Sequence, residues 1–213
     1  VLEAWGVADA TREVIANALD EQALTETSEV EIYEDDEGRW HIRDYGRGLR
    51  HEHLTQNEDE EKLNNPDKVI GKFGVGLKDA LATFYRNGVD VTIHSKHETI
   101  TVEKAPKADF EDIETLHGLI YPPERDIEGT DVVLEGITES QIDQAKSNFL
   151  RFTDDELLEE TKFGEVYASP AGEDSRIYVT GLKVATEENF LSSYNITKTT
   201  KQVRDALNRE RSN

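Results

Sequence analysis

Arg12-Glu13-Val14-Ile15-Ala16-Asn17-Ala18-Leu19-Asp20 is the stretch from which the architecture can be read. Its apolar residues recur at helical spacing, so the pattern predicts a helix from Asp9 to Gln22. Val14, Ile15, Ala18 and Leu19 fall on one side, and Glu13, Asn17 and Asp20 on the other, because residues three and four apart share a helical face. A polar helix face is ordinarily just hydrated. A carboxylate one turn from an Asn has a second use. Mg²⁺ needs few protein ligands when phosphates and waters supply the rest, so one Asn oxygen suffices and the Glu can orient and deprotonate a water.

Beyond this helix, Val30, Ile32 and Glu34 alternate with polar residues, Asp36-Glu37-Gly38 turns the chain, and Trp40 and Ile42 resume the alternation. This predicts a hairpin. It ends in Asp44-Tyr45-Gly46-Arg47-Gly48, a strand-to-loop turn. From Arg50 to Asp67 the chain is too polar to bury much surface and reads as a covering loop. Gly71-Lys72-Phe73-Gly74-Val75-Gly76 then runs into a helix from Leu77 to Tyr85. Strands are expected at Val89 to Ser95 and Thr99 to Glu103, with His97 and Glu98 in the turn, and a buried strand at Thr130 to Leu134. Ala105 to Arg125 carries no assignment. Past Gly136 the pattern predicts a helix over Ser140 to Phe152 and a partly helical acidic stretch from Asp154 to Glu160. It also predicts strands at Val166 to Ala168, Ile177 to Val179 and Lys183 to Ala185, and a helix over Lys201 to Arg209. A domain boundary is expected between 136 and 155.

Each turn has a chemical reading beside its conformational one. The Asp44 carboxylate can accept the exocyclic amino hydrogen of adenine and repels the carbonyl that guanine carries there. Gly46 and Gly48 let backbone approach a purine closely. The glycines from Gly71 to Gly76 point free N–H groups and a positive helix end at one spot, an arrangement that suits phosphate. The Gly-Lys-Ser/Thr ending of a P-loop is missing, and the long polar segment in front does not fit a Rossmann turn. Lys72 can add charge near phosphates. Thr130, at a strand start, can hold a water against a purine edge. His51 and His53 offer a metal reading against the commoner one of surface histidines, and His41, His51 and His53 are expected in or near loops.

The 213 residues carry a formal net charge of -22, which argues against a broad nucleic-acid-gripping surface. A strongly hydrated surface accounts for the acidity, and a high-salt habitat is the open alternative. With no cysteine, disulfides and thiolate metal sites are excluded. With no methionine, even at position 1, the sequence reads as a piece of a longer polypeptide. No apolar run is long enough to span a bilayer and no signal peptide is visible, so the expectation is a soluble cytoplasmic protein without membrane contact.

In this order, REVIANALD (12–20), DYGRGL (44–49), GKFGVGL (71–77) and GTDVVL (129–134) resemble the motifs of the GHKL, or Bergerat-fold, ATPases. That superfamily includes gyrase B subunits, HSP90-like heat-shock chaperones, MutL proteins, MORC ATPases and sensor histidine kinases. The resemblance covers about residues 8–136. It implies an α+β fold, a two-layer α/β sandwich whose mixed, mainly antiparallel sheet is followed by part of a second α/β segment. The implied organisation is an ATP-binding domain over 1–140 with a lid at about 50–70, then an extension or the start of a transducer-like domain over 141–213.

By the same resemblance Glu13 activates the attacking water and Asn17 binds Mg²⁺. Asp44 reads adenine with Thr130 acting through a water, and Gly46, Gly48 and Leu49 line the base. Gly71, Lys72, Phe73, Gly74, Val75, Gly76 and Leu77 wrap the phosphates. Asp20 belongs to the nucleotide site as well; family members usually follow it with Ala, whereas Glu21 follows here, at a position expected to leave the face that meets ATP. The implied cofactors are ATP and Mg²⁺, and the implied activity is ATP hydrolysis that drives lid closure and dimerisation of a molecular clamp. A homodimer is the expected assembly, with client protein or DNA handled by other domains. Glu13 resembles the hydrolytic branches, in which a basic residue of the second domain reaches the terminal phosphate; Lys183 is the candidate within RIYVTGLKV (176–184). A histidine-kinase-type phosphotransfer domain and a non-hydrolysing ATP switch are the alternatives.

Overall fold

The computed structural model describes residues 4–55, 62, 64–65, 68–70, 76–107 and 110–200. The chain divides into two compact units, one of residues 1–65 and 71–145 and one of residues 66–70 and 146–213.

In the first unit, helix α1 (Val7–Thr25) is longer than the sequence pattern predicts. The Asp9 carboxylate accepts the Gly6 N–H at 3.0 Å at its start, and Glu26 closes it in a left-handed conformation at φ 54°. Strands β1 (Glu31–Glu34) and β2 (Trp40–Asp44) form the expected hairpin. Helix α2 (His51–Thr55), helix α3 (Gly76–Arg86), β3 (Asp90–Ser95), β4 (Thr99–Lys107), β5 (Phe110–Tyr121) and β6 (Thr130–Glu135) follow. Helix α4 (Glu139–Lys146) comes last. The sheet order is β1-β2-β6-β3-β4-β5, antiparallel in every described pairing.

Ile42, Val132 and Ile93 are cross-strand neighbours and are buried, as are Trp40, Leu134 and Val91 two residues along. Helices α1 and α3 pack against each other and onto this sheet, α1 on β2 and α3 on β3. They add Val14, Ile15, Leu19, Leu81 and Phe84 to the core. Each such side chain contributes about 1.5–3 kcal/mol on burial. The alternate register positions carry His41, Arg43, Thr92, His94 and Asp131, with Val133 the apolar residue among them. His41 lies in β2, buried, instead of near a loop. Its ring nitrogens face Asp131 at 3.0 Å and Asp35 at 3.1 Å, and Arg125 bonds Asp131 at 3.1 Å.

In the second unit, a short 3-10 turn (Leu150–Phe152) precedes β7 (Leu157–Glu160), β8 (Gly164–Ala168), β9 (Ser175–Val179), β10 (Leu182–Glu187) and β11 (Ser192–Ile196). Its sheet order is β10-β9-β11-β8-β7, with β9 and β11 parallel. Tyr178, Phe149 and Leu182 are its buried apolar anchors.

Several expectations need correction. The helix from Ser140 stops at Lys146, because Leu150 N–H bonds the Gly181 carbonyl and the Asn148 carbonyl accepts the Lys183 N–H, both at 2.8 Å. Backbone groups committed to a strand cannot continue a helix. Leu157–Glu160 is a strand paired with β8, not helical: edge pairing overrides the local preference of its glutamates. The unassigned stretch after Ala105 holds β5, and β11 is a further strand that the sequence pattern does not mark. The predicted helix over Lys201 to Arg209 lies outside the described residues.

Candidate functional site

Glu13, Asn17 and Asp20 form one stripe along α1. Glu13 Oε1 accepts from Arg12 Nη2 at 3.1 Å. Its Oε2 lies 2.6 Å from where a Cβ on Gly76 would stand. The first residue of α3 therefore sits directly against the Glu13 carboxylate, which would have to move aside for any side chain at position 76. Leu77 is the next residue of α3. Gly71, Lys72, Phe73, Gly74 and Val75 lie outside the described residues.

Asn17 Oδ1 and Asp20 Oδ2 accept from a single ammonium, that of Lys62, at 3.1 and 2.9 Å. The Asp20 side chain is 1% exposed and that of Lys62 15%. No local pattern marks Lys62, which stands among many charged residues in a polar stretch.

Asp44 ends β2 opposite Thr130, the first residue of β6, and Thr130 in turn pairs with Ser95 of β3. Both Asp44 and Thr130 are buried. Asp44 Oδ1 accepts the Gly46 N–H at 2.9 Å, and Thr130 Oγ1 accepts the Leu49 N–H at 2.9 Å. Burial raises the Asp44 carboxyl; hydrogen bonds from Gly46 and Thr130 oppose this, the Glu21 charge adds to it, and the outcome is about 6. Gly129 explains how the two strand ends come so close. It has φ +76°, and a Cβ there would lie 2.1 Å from the Asp44 carbonyl oxygen.

The turn after Asp44 is clamped from two directions. Glu21 lies against it: its Cγ is 2.3 Å from where a Cβ on Gly46 would be. The Glu21 carboxylate takes the Arg47 N–H at 2.7 Å, and Arg47 Nε and Nη2 at 2.9 Å each. Burial pushes Glu21 up, but the bonds and charge of Arg47 outweigh it and leave the carboxyl below its ordinary value. Glu21 stands one turn after Asn17 on the same helix, so it continues the Glu13–Asn17 stripe instead of leaving it, and it holds the turn that carries Gly46 and Gly48. On the other side, Ser95 Oγ donates to the Leu49 carbonyl at 2.6 Å and His97 Nε2 bonds the Arg47 carbonyl at 2.9 Å. Glu98 accepts the His51 N–H and faces His51 Nδ1 at 3.0 Å. The sequence marks His97 and Glu98 only as a turn.

His51 and His53 lie in the short helix α2 and not in a loop; His53 Nδ1 accepts the Arg50 N–H at 3.2 Å, so the two histidines face different partners. Among the described residues no three His, Cys, Asp or Glu side chains are placed to hold a metal ion together. No described helix is long and apolar enough to cross a membrane. In the second unit, Lys183 lies in β10, and burial, then Arg176, lowers its ammonium.

A helix stripe of Glu, Asn and Asp, a glycine-initiated helix against the Glu, and a buried Asp–Thr pair across two strand ends define a class. The chain belongs to the histidine kinase-, DNA gyrase B- and HSP90-like ATPase family, whose model matches residues 6–142. It has the GHKL fold. Residues 140–213 match a second family model, the Mycoplasma pneumoniae MPN635 N-terminal domain. An uncharacterized protein of Mycoplasma pneumoniae is 38% identical over 217 residues, covering 99% of this chain and 86% of that one. Another from the same organism is 38% identical over 86 residues, 40% of this chain and 24% of that one. The ATPase region of Saccharomyces cerevisiae topoisomerase II superposes with a TM-score of 0.51 at 8% identity, covering 83% of this chain. The chain spans 62% of the length of that region, and the likeness is one of fold.

Proposed function

We propose that the chain binds ATP with Mg²⁺ through residues 1–140 and hydrolyses its terminal phosphate bond. The observation that carries this reading is the contact of the Glu13 carboxylate with Gly76 at the start of α3. It sets a base beside a helix end suited to phosphate. Asn17 stands one turn along, and the Asp44–Thr130 pair offers an acceptor for adenine.

Asn17 supplies a metal ligand, and the oxygens of Asn17 and Asp20 already converge on one cation, the Lys62 ammonium. The residues present therefore fit a cation. Bound Mg²⁺ would neutralise phosphate charge and draw electron density from the reacting phosphorus. Asp44 accepts the adenine amino hydrogen, with Thr130 ordering a water at the ring edge, and Gly46, Gly48 and Leu49 admit the base. Lys72 and the glycine-rich stretch ending at Gly76 and Leu77 would wrap the phosphates. Glu13 takes a proton from the attacking water. The new bond joins that oxygen to the terminal phosphorus, the bond to the bridging oxygen breaks, and ADP and phosphate leave.

Membership of the family and the fold support nucleotide binding. The resemblance in sequence supports a lid at about residues 50–70, closure on ATP and dimerisation, with residues 141–213 as a transducer-like segment. Client protein or DNA would be met by other parts of the assembly, since a net charge of -22 disfavours a broad nucleic-acid surface here.

Glu13→Gln separates catalysis from binding. Steady-state phosphate release should fall by about 10²–10⁴-fold, the usual worth of a general base, while ATP affinity stays within a few-fold. Unchanged turnover would remove Glu13 from the mechanism.

A further inference from the structure

We propose that Lys62 is a built-in competitor for the divalent cation of this site: its ammonium, held by Asn17 Oδ1 and Asp20 Oδ2, occupies the position that the metal takes with nucleotide. The inference rests on reading the site as one for Mg²⁺–ATP.

The distances, 3.1 and 2.9 Å, are those of charge-assisted hydrogen bonds to both oxygens at once. With the Asp20 side chain 1% exposed and that of Lys62 15%, water screens this pair little. An ammonium and a divalent ion at the same oxygens repel each other, so the two states exclude one another. The metal can enter only when Lys62 leaves. Its apparent affinity is then the intrinsic affinity reduced by the fraction of molecules in which Lys62 has already departed. Nucleotide without metal brings no competing cation. Its binding gains nothing when Lys62 is removed.

The test is equilibrium binding of a fluorescent ATP analogue by the whole chain, with Mg²⁺ titrated at fixed nucleotide. In Lys62→Gln the Mg²⁺ midpoint should fall about ten-fold, and in Lys62→Arg it should stay within about two-fold of wild type. In EDTA the analogue should bind Lys62→Gln no more tightly than wild type. A midpoint unchanged or raised in Lys62→Gln, with the analogue still bound, overturns the inference and leaves the nucleotide site standing. An analogue that never binds wild type at any Mg²⁺ concentration removes the site and the inference together. The wild-type chain supplies a second measurement. The side-chain ammonium NMR signal of Lys62, protected in metal-free protein, should lose that protection at saturating Mg²⁺ and nucleotide; protection that persists counts against the competition.

Discussion

In the proposed nucleotide site, Asp44 is the residue at which stability and recognition oppose each other. Its carboxyl is raised from 3.8 to about 6, chiefly by burial. A raised acid binds its proton more tightly in the folded chain than in the unfolded one. The fold is therefore stabilised where Asp44 is protonated, and that contribution is lost as pH rises from about 4 through 6. The difference corresponds to about 3 kcal/mol at most. In the proposed role Asp44 would need the opposite state, the ionised acceptor of the adenine amino hydrogen. Nucleotide affinity should fall as pH drops through about 6, and Asp44→Asn should raise thermal stability at neutral pH while abolishing nucleotide binding. Glu21→Gln removes a negative charge that holds Asp44 up, so the midpoint of the pH dependence should move down. Calorimetric melts and binding isotherms across pH 5–8 check all of these; an Asp44→Asn chain less stable than wild type at neutral pH would contradict the burial argument.

At the scale of elements, the hairpin of β9 and β10 carries a visible strain. Thr180 and Gly181 form its two-residue turn with φ 51° and 77°, as the right-handed twist of the strands demands. Glycine meets that demand freely, but a β-branched residue in the left-handed region costs about 1–3 kcal/mol. Thr180→Asn should therefore raise stability by about 1 kcal/mol, read as a higher denaturant midpoint with unchanged slope. A drop would mean that the hydroxyl is needed.

What the sequence reveals at this scale follows from periodicity. The α1 helix and the strands of the first hairpin are legible because each buries one face and wets the other. β11, Ser192–Ile196, is not legible: Ser193 and Asn195 are buried by pairing and hydrogen bonds, not by hydrophobicity. The site divides in the same way. Glu13, Asn17 and Asp44 stand in short, chemically distinctive strings. Lys62, Ser95, His97 and Glu98 act through tertiary contacts with residues distant in sequence, and no local pattern marks them.

At the scale of the whole molecule, the first unit holds α1, the end of β2, the start of α3 and the start of β6, with Glu13 against Gly76 and Asp44 opposite Thr130. The proposed function requires these segments to share one nucleotide. The direct measurement is a backbone amide NMR titration of the chain with ATP and Mg²⁺. Resonances of residues 13–20, 44–49, 76–77 and 129–130 should move together along one saturation curve. Shifts confined to a single segment, or separate curves for the α1 and Asp44 regions, would contradict the account.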